Sequence, residues 1–241
     1  MHVVMAADYD QMSRKAAYVV AGRIILKPDC VLGLATGDTP KGLYRELVRL
    51  HRSGDIDFSG VSTFNLDEYI GLAPEDPDSY HRYMEEHFFR FVNVPPERRH
   101  LPDGDASDMA AECRRYETSI ERAGGIDLQI LGLGRDGHIG FNEPDVKFEK
   151  GTHCVRLDRS TIEANARFFS DAGKVPKRAV TMGIRTIMRA RSLLLLASGP
   201  EKAEALRGAV LGPVTPDLPA SVLQLHPDAT AIVDEAAARL L

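Results

Sequence analysis

Short apolar runs alternate with longer amphipathic stretches along most of the chain. Val3 to Ala6 reads as a strand. From Asp8 to Leu26 the apolar residues Ala16, Ala17, Val20 and Ile24 recur at helical spacing, and Pro28 ends the pattern. Cys30 to Ala35 is a second strand-like run, followed by a helix from Lys41 to Leu50. Val61 to Leu66 predicts a third strand, Ser79 to Val92 a helix rich in Tyr and Phe, and Ser107 to Ala123 another helix. Leu128 to Leu133, Thr152 to Leu157 and Ala179 to Gly183 predict strands, with a helix from Ser160 to Phe169 between the last two. Ser192 to Ser198 (SLLLLAS) is the clearest buried strand. A helix from Glu201 to Leu211, a short strand from Ala229 to Val233 and a closing helix from Glu235 to Leu240 complete the pattern. Strands alternating with helices predict an α/β fold with a mainly parallel sheet and helices on both faces. No internal repeat, low-complexity tract or linker divides the 241 residues, so one domain is expected over residues 1–241.

Composition narrows the class. Hydrophobic residues make up 44% and charged residues 27%, as in soluble globular proteins. No apolar run is long enough for a transmembrane helix. The start, MHVVMAADYD, lacks the basic and apolar regions of a signal peptide, so a cytoplasmic location is expected. A net charge of -5 argues against nucleic acid or an anionic membrane as partner, so an anionic ligand needs a local basic site. Cys30, Cys113 and Cys154 are widely spaced and match neither a disulfide framework nor a structural zinc site.

The candidate chemistry centres on Asp127 to Pro144, DLQILGLGRDGHIGFNEP. An apolar run breaks at Gly132, Gly134 and Gly137 into a loop holding Asp136, His138 and Glu143. Open α/β sheets bind ligands at the carboxyl ends of their strands. Imidazole exchanges protons near neutral pH, and a neighbouring carboxylate fixes its tautomer and stabilises its charged form. A polar loop with one solvated histidine is the plainer alternative. Thr36-Gly37-Asp38-Thr39-Pro40 lies between a strand and a helix, an arrangement that suits an anion; an ordinary βα turn would look the same. Lys202 falls near a helix start, where a cation opposes the helix dipole unless an anion binds there; a solvated lysine is again the plainer alternative. Gly132, Gly134 and Gly137 mimic a dinucleotide fingerprint, but Pro144 interrupts the segment that would have to be its helix.

Together these motifs resemble the glucosamine-6-phosphate deaminase family. LGLATGDTPKGLY (Leu32 to Tyr44), FNLDEYIGL (Phe64 to Leu72) and LGLGRDGHIGFNEP (Leu131 to Pro144) carry the likeness. ARFF (Ala166 to Phe169), VPKRAVTMGI (Val175 to Ile184), GPEKAEAL (Gly199 to Leu206) and SVLQLHPDA (Ser221 to Ala229) extend it over almost the whole chain. The resemblance implies a modified Rossmann-like sheet. It implies conversion of glucosamine 6-phosphate and water to fructose 6-phosphate and ammonium, with no metal or organic cofactor. It implies that Asp67 moves the proton between C2 and C1, that His138 opens the sugar ring, and that Asp136 and Glu143 flank and orient His138. Thr36, Gly37, Asp38 and Thr39, with Arg167 and Lys202, would hold the phosphate. The relatives of this fold include 6-phosphogluconolactonases and sugar-phosphate sensors without catalysis. Asp-Glu-Tyr at 67–69 and the FNEP ending match the deaminases. Asp38 and Arg185 depart from the commoner pattern; Asp38 is expected to point away from a phosphate or to cap the next helix. The basic residues of a regulatory site are thin here, with only Arg156 and Arg159, and oligomeric state stays open.

Overall fold

The computed structural model describes residues 1–166, 169 and 175–241. Parallel strands β1 (His2–Ala6), β2 (Val31–Leu34), β3 (Ser62–Asn65), β5 (Arg99–His100), β6 (Leu128–Gly132), β9 (Ser192–Ala197) and β10 (Ala229–Asp234) build one sheet in the order β1-β10-β9-β6-β2-β3-β5. Every side chain of β2 and β9 is buried, so the sheet is covered on both faces there. The helices are α1 (Tyr9–Leu26), α2 (Lys41–Arg52), α3 (Tyr80–His87), α4 (Met109–Arg122), α5 (Arg159–Asn165), α6 (Ile184–Met188) and α7 (Ala203–Leu211). α1 shows why the local sequence folds as it does. Asp8 caps it by accepting from the Gln11 amide at 2.7 Å, and Met12, Ala16, Ala17, Val20 and Ile24 form its buried stripe. Among the described residues, no helix is long and apolar enough to cross a membrane.

A second sheet was not expected from the pattern. β4 (Asp67–Tyr69), β7 (His153–Arg156) and β8 (Arg178–Thr181) pair antiparallel in the order β4-β8-β7. β4 follows β3 after a single residue, and Leu66 ties the two sheets: its amide donates to Leu34 O and its carbonyl accepts from Met182 N. Tyr69, Phe141, Leu157, Phe169, Val175 and Ala179 form a small core of their own beneath this sheet.

Three helix expectations are corrected. α3 stops at His87, because Phe88 leaves helical geometry and Phe88 and Phe89 turn into the core through a 3₁₀ turn, Phe89–Phe91. Pro200–Lys202 is a 3₁₀ turn, so α7 begins only at Ala203. After β10 the chain makes turns rather than a helix; Asp234 accepts from the Ala237 amide at 2.8 Å and fixes the first of them.

Candidate active site

β2 and β6 are parallel neighbours, yet the next strand of this sheet is β3 on one side after β2 and β9 on the other side after β6. Loops diverge at such a switch point and leave a crevice at the carboxyl ends of the strands. A cleft of about 1080 Å³ lies there. Thr36, Gly37, Asp38 and Thr39 line it after β2, Asp67 after β3, Asp136 and His138 after β6, and Lys202 after β9. Glu143 lines an adjoining cavity of about 310 Å³ instead. Arg167 lies outside the described residues. Arg185 sits on α6 with its guanidinium near Gly151 and lines neither cavity.

The His138 loop is shaped by its glycines. Gly134 N donates to His138 O at 2.9 Å, and Gly137 supplies the left-handed turn at φ +86°. A methyl group on Gly134 would collide with the His138 imidazole, so this position needs glycine for close approach. His138 Nδ1 lies 2.7 Å from Asp136 Oδ1, and the same oxygen accepts from the His138 amide at 3.1 Å. The ring nitrogen and the carboxylate oxygen are in close contact without the full alignment of a hydrogen bond. Burial pushes the Asp136 carboxyl up, but the His138 side chain and the loop amides outweigh it and hold it below the usual carboxylate range. Asp136 therefore stays ionised beside the imidazole. Gly134→Ala is expected to keep the fold and lower turnover at least about tenfold, because an imidazole displaced by even an ångström loses its proton-transfer geometry. Unchanged steady-state kinetics in that variant would count against His138.

Asp67, Glu68 and Tyr69 divide the labour of β4. Asp67 pairs with Thr181 through the backbone and faces the cleft, 6% exposed. Glu68 is buried and takes the Tyr80 and His81 amides, the first two of α3, at 3.0 Å each, together with its neighbour Tyr69 N at 2.8 Å. It thus fastens β4 to a helix N-terminus, where negative charge is favoured. Tyr69 enters the small core. Burial, with the charge of Glu68 adding to it, pushes the Asp67 carboxyl up to about 8. Burial pushes Glu68 up to about 7, against the pull of its three amides. The His138 loop passes close by: a side chain on Gly140 would meet Thr181 Oγ1 at 2.9 Å and Asp67 Oδ2 at 3.3 Å. Glu143 Oε2 accepts from Asp158 N at 2.8 Å, its Oε1 is buried without a hydrogen-bond partner among the described residues, and burial holds its carboxyl above the usual range.

Across the cleft lies the loop from Thr36 to Thr39, with Gly37 at φ +92°. Two tyrosines hold it by its carbonyls. Tyr83 Oη donates to Gly37 O at 2.6 Å, and Tyr9 Oη lies 3.0 and 3.1 Å from Asp38 O and Thr39 O while accepting from Gly42 N at 2.7 Å. The loop feeds the N-terminus of α2, where Pro40 provides no side-chain cap. Asp38 does not cap α2, contrary to one of the two expectations; its carboxylate pairs with Lys41 Nζ at 2.9 Å. Lys202 approaches from the turn after β9. Asp234 sets that turn by accepting from Ser198 Oγ at 2.5 Å and from Gly199 N at 3.1 Å, with Gly199 at φ +95°. Helix N-terminus, loop and lysine together suit an anion.

Sequence reasoning missed several residues of the cleft. Tyr80 lines it and stacks on Phe141, with ring centres 6.1 Å apart and planes 6° apart. Lys41, Arg45 and Asn165 also line it. Only Tyr80 carried a signal, as the residue after the helix cap Ser79. Among the described residues, no three His, Cys, Asp or Glu side chains group to hold a metal ion.

Comparison with known proteins follows the same lines. A family model described as glucosamine-6-phosphate isomerases/6-phosphogluconolactonase matches residues 6–232. The glucosamine-6-phosphate deaminase of Halothermothrix orenii is 55% identical over 241 residues, the whole of both chains. That of Lachnoclostridium phytofermentans is 55% identical over 232 residues, 96% of this chain and 98% of the relative. The solved structure of a monomeric glucosamine-6-phosphate deaminase, 49% identical, superposes over all of both chains with a TM-score of 0.98. The 6-phosphogluconolactonase of Leishmania guyanensis shares the fold, with a TM-score of 0.77 at 24% identity over 98% of this chain and 97% of the other.

Proposed function

The chain belongs to the family of glucosamine-6-phosphate isomerases and 6-phosphogluconolactonases, and we infer that it is the deaminating kind of enzyme, converting glucosamine 6-phosphate and water into fructose 6-phosphate and ammonium. The observation that carries the reading is the convergence on one cleft of a buried carboxylate, an imidazole–carboxylate pair, the loop before α2 and a lysine. A silent sugar-phosphate sensor needs the anion site alone.

The roles follow from the reaction. Thr36 to Thr39 and Lys202 hold the phosphate and so fix the sugar against the opposite wall. His138, with Asp136 stabilising its charged form, takes the anomeric hydroxyl proton and returns it to the ring oxygen, opening the ring. Asp67 removes the proton from C2 and delivers it to C1. The nitrogen-bearing carbon then accepts water and ammonium leaves. Glu143, which lines the adjoining cavity, is assigned to orienting His138 from its motif position. Arg167 is assigned to the phosphate from its motif position.

Three substrates distinguish the readings. Glucosamine 6-phosphate should yield ammonium, 6-phosphogluconolactone should be hydrolysed far more slowly, and unphosphorylated glucosamine should be a poor substrate. Lactone hydrolysis as the dominant activity would overturn the reading.

Lys202→Ala is expected mainly to raise KM for glucosamine 6-phosphate, since the phosphate is bound in ground and transition states alike. Loss of one charge-assisted contact costs about 1.5–3 kcal/mol, or roughly 10- to 150-fold. Residual turnover of glucosamine itself should change little. An unaltered KM for the phosphorylated sugar would move the phosphate site elsewhere.

A further inference from the structure

The anion loop contains an acid. Asp38 lines the cleft between Gly37 and Thr39, at the end of α2 where a phosphate is favoured. A carboxylate in that position repels a phosphate dianion. Lys41, three residues on, opposes it with Nζ 2.9 Å from Asp38 Oδ1. The same ammonium lies 5.8 Å from the centre of the Tyr83 ring, and the Tyr83 hydroxyl holds Gly37 O. Lys41 is therefore fixed beside the loop from two sides, and it lines the cleft as well. A lysine in the first turn of a helix opposes the helix dipole, and α2 has no acidic residue in its own first turn to offset it. Asp38 supplies that charge from just outside the helix.

We propose that Asp38 and Lys41 form a charge-balancing pair that sets the site's affinity for phosphate, Lys41 cancelling the Asp38 carboxylate and presenting a cation to the bound phosphate. The proposal rests on reading the cleft as the site of a phosphorylated sugar. It makes Lys41 a specificity-determining residue in addition to Lys202, and it explains how an acid is tolerated in an anion loop. Both side chains are part-exposed, so the effect is strongest at low salt.

The test is a double-mutant cycle in KM for glucosamine 6-phosphate and in the inhibition constant of inorganic phosphate, measured at low salt. Lys41→Ala should raise both on the order of tenfold with kcat little changed, because it removes a cation from beside the loop while the Asp38 carboxylate stays. Asp38→Asn should lower both severalfold, because the phosphate then meets the loop without the Asp38 charge. The double variant should return to within about threefold of the parent, the loss of the cation and the loss of the acid offsetting each other. A double variant as weak as Lys41→Ala, or an Asp38→Asn variant weakened to the same degree, would overturn the pair and mark Asp38 as a direct ligand or a brace of the loop. If the parent released no ammonium, the functional reading would fall. Inorganic phosphate binding, followed by thermal shift in the four proteins, would still test the pair.

Discussion

Asp67→Asn is expected to lose turnover of glucosamine 6-phosphate by about 10²–10⁴-fold while keeping phosphorylated-sugar binding near the parent level. The amide is close to isosteric and preserves β4, but it cannot take a proton from carbon. Two further readouts belong to the same substitution. Burial holds the Asp67 carboxyl up to about 8, so the free enzyme carries the neutral acid over most of the neutral range. The parent's kcat/KM should accordingly rise with pH through about 8, and the residual rate of the variant should lack that rise. Stability moves the opposite way. The native state binds this proton more tightly than the unfolded chain, whose carboxylates titrate near about 4, so Asp67's contribution is fully present below about 4 and is lost as pH rises through about 8. Asp67→Asn has no such loss and should melt higher than the parent at pH 9. A variant with near-parental turnover would remove Asp67 from the mechanism.

His138→Asn should also lower turnover by about 10²–10⁴-fold with little change in KM, because the ring nitrogen acts on the anomeric hydroxyl and not on the phosphate. The partnership with Asp136 gives the assignment its structure. Asp136 is ionised, 2.7 Å from Nδ1, and tied to the same residue's amide. Asp136→Asn should therefore fall in the same direction, by at least about tenfold, since the imidazolium formed during ring opening loses its counter-charge. Steady-state kinetics of the two variants check this. A His138→Asn enzyme with a large rise in KM and intact kcat would make the histidine a binding group only.

The parts of this fold that were legible in the sequence are those held by local pattern. SLLLLAS at 192–198 needs no partner to be recognised as a buried strand, and the spacing of Ala16, Ala17, Val20 and Ile24 declares α1 by itself. The second sheet was hidden because its pairing is remote. Asp67 meets Thr181 across more than a hundred residues, and a three-residue strand has no period to read. The end of α3 was overrun because Phe88 and Phe89 continue an aromatic pattern while leaving the helix to fill the core. At the site, the glycine-broken loop announced Asp136 and His138. In the sequence Glu68 is one more acid, and only the fold brings its carboxylate to the first amides of α3; nothing local to Asp234 marks it as setting the turn before Lys202. A lysine on a surface helix is common and carries no signal of its own; the distance of Lys41 from Asp38 depends on the turn through Pro40.

The most direct test of the account is product stoichiometry from glucosamine 6-phosphate with the parent and the Asp67→Asn variant side by side. Ammonium and fructose 6-phosphate should appear in equal amounts with the parent. Both should be absent, or at least about a hundredfold slower, with a variant that still binds inorganic phosphate. Ammonium without the ketose phosphate, or parental rates from the variant, would contradict the proton-transfer chemistry assigned to this cleft.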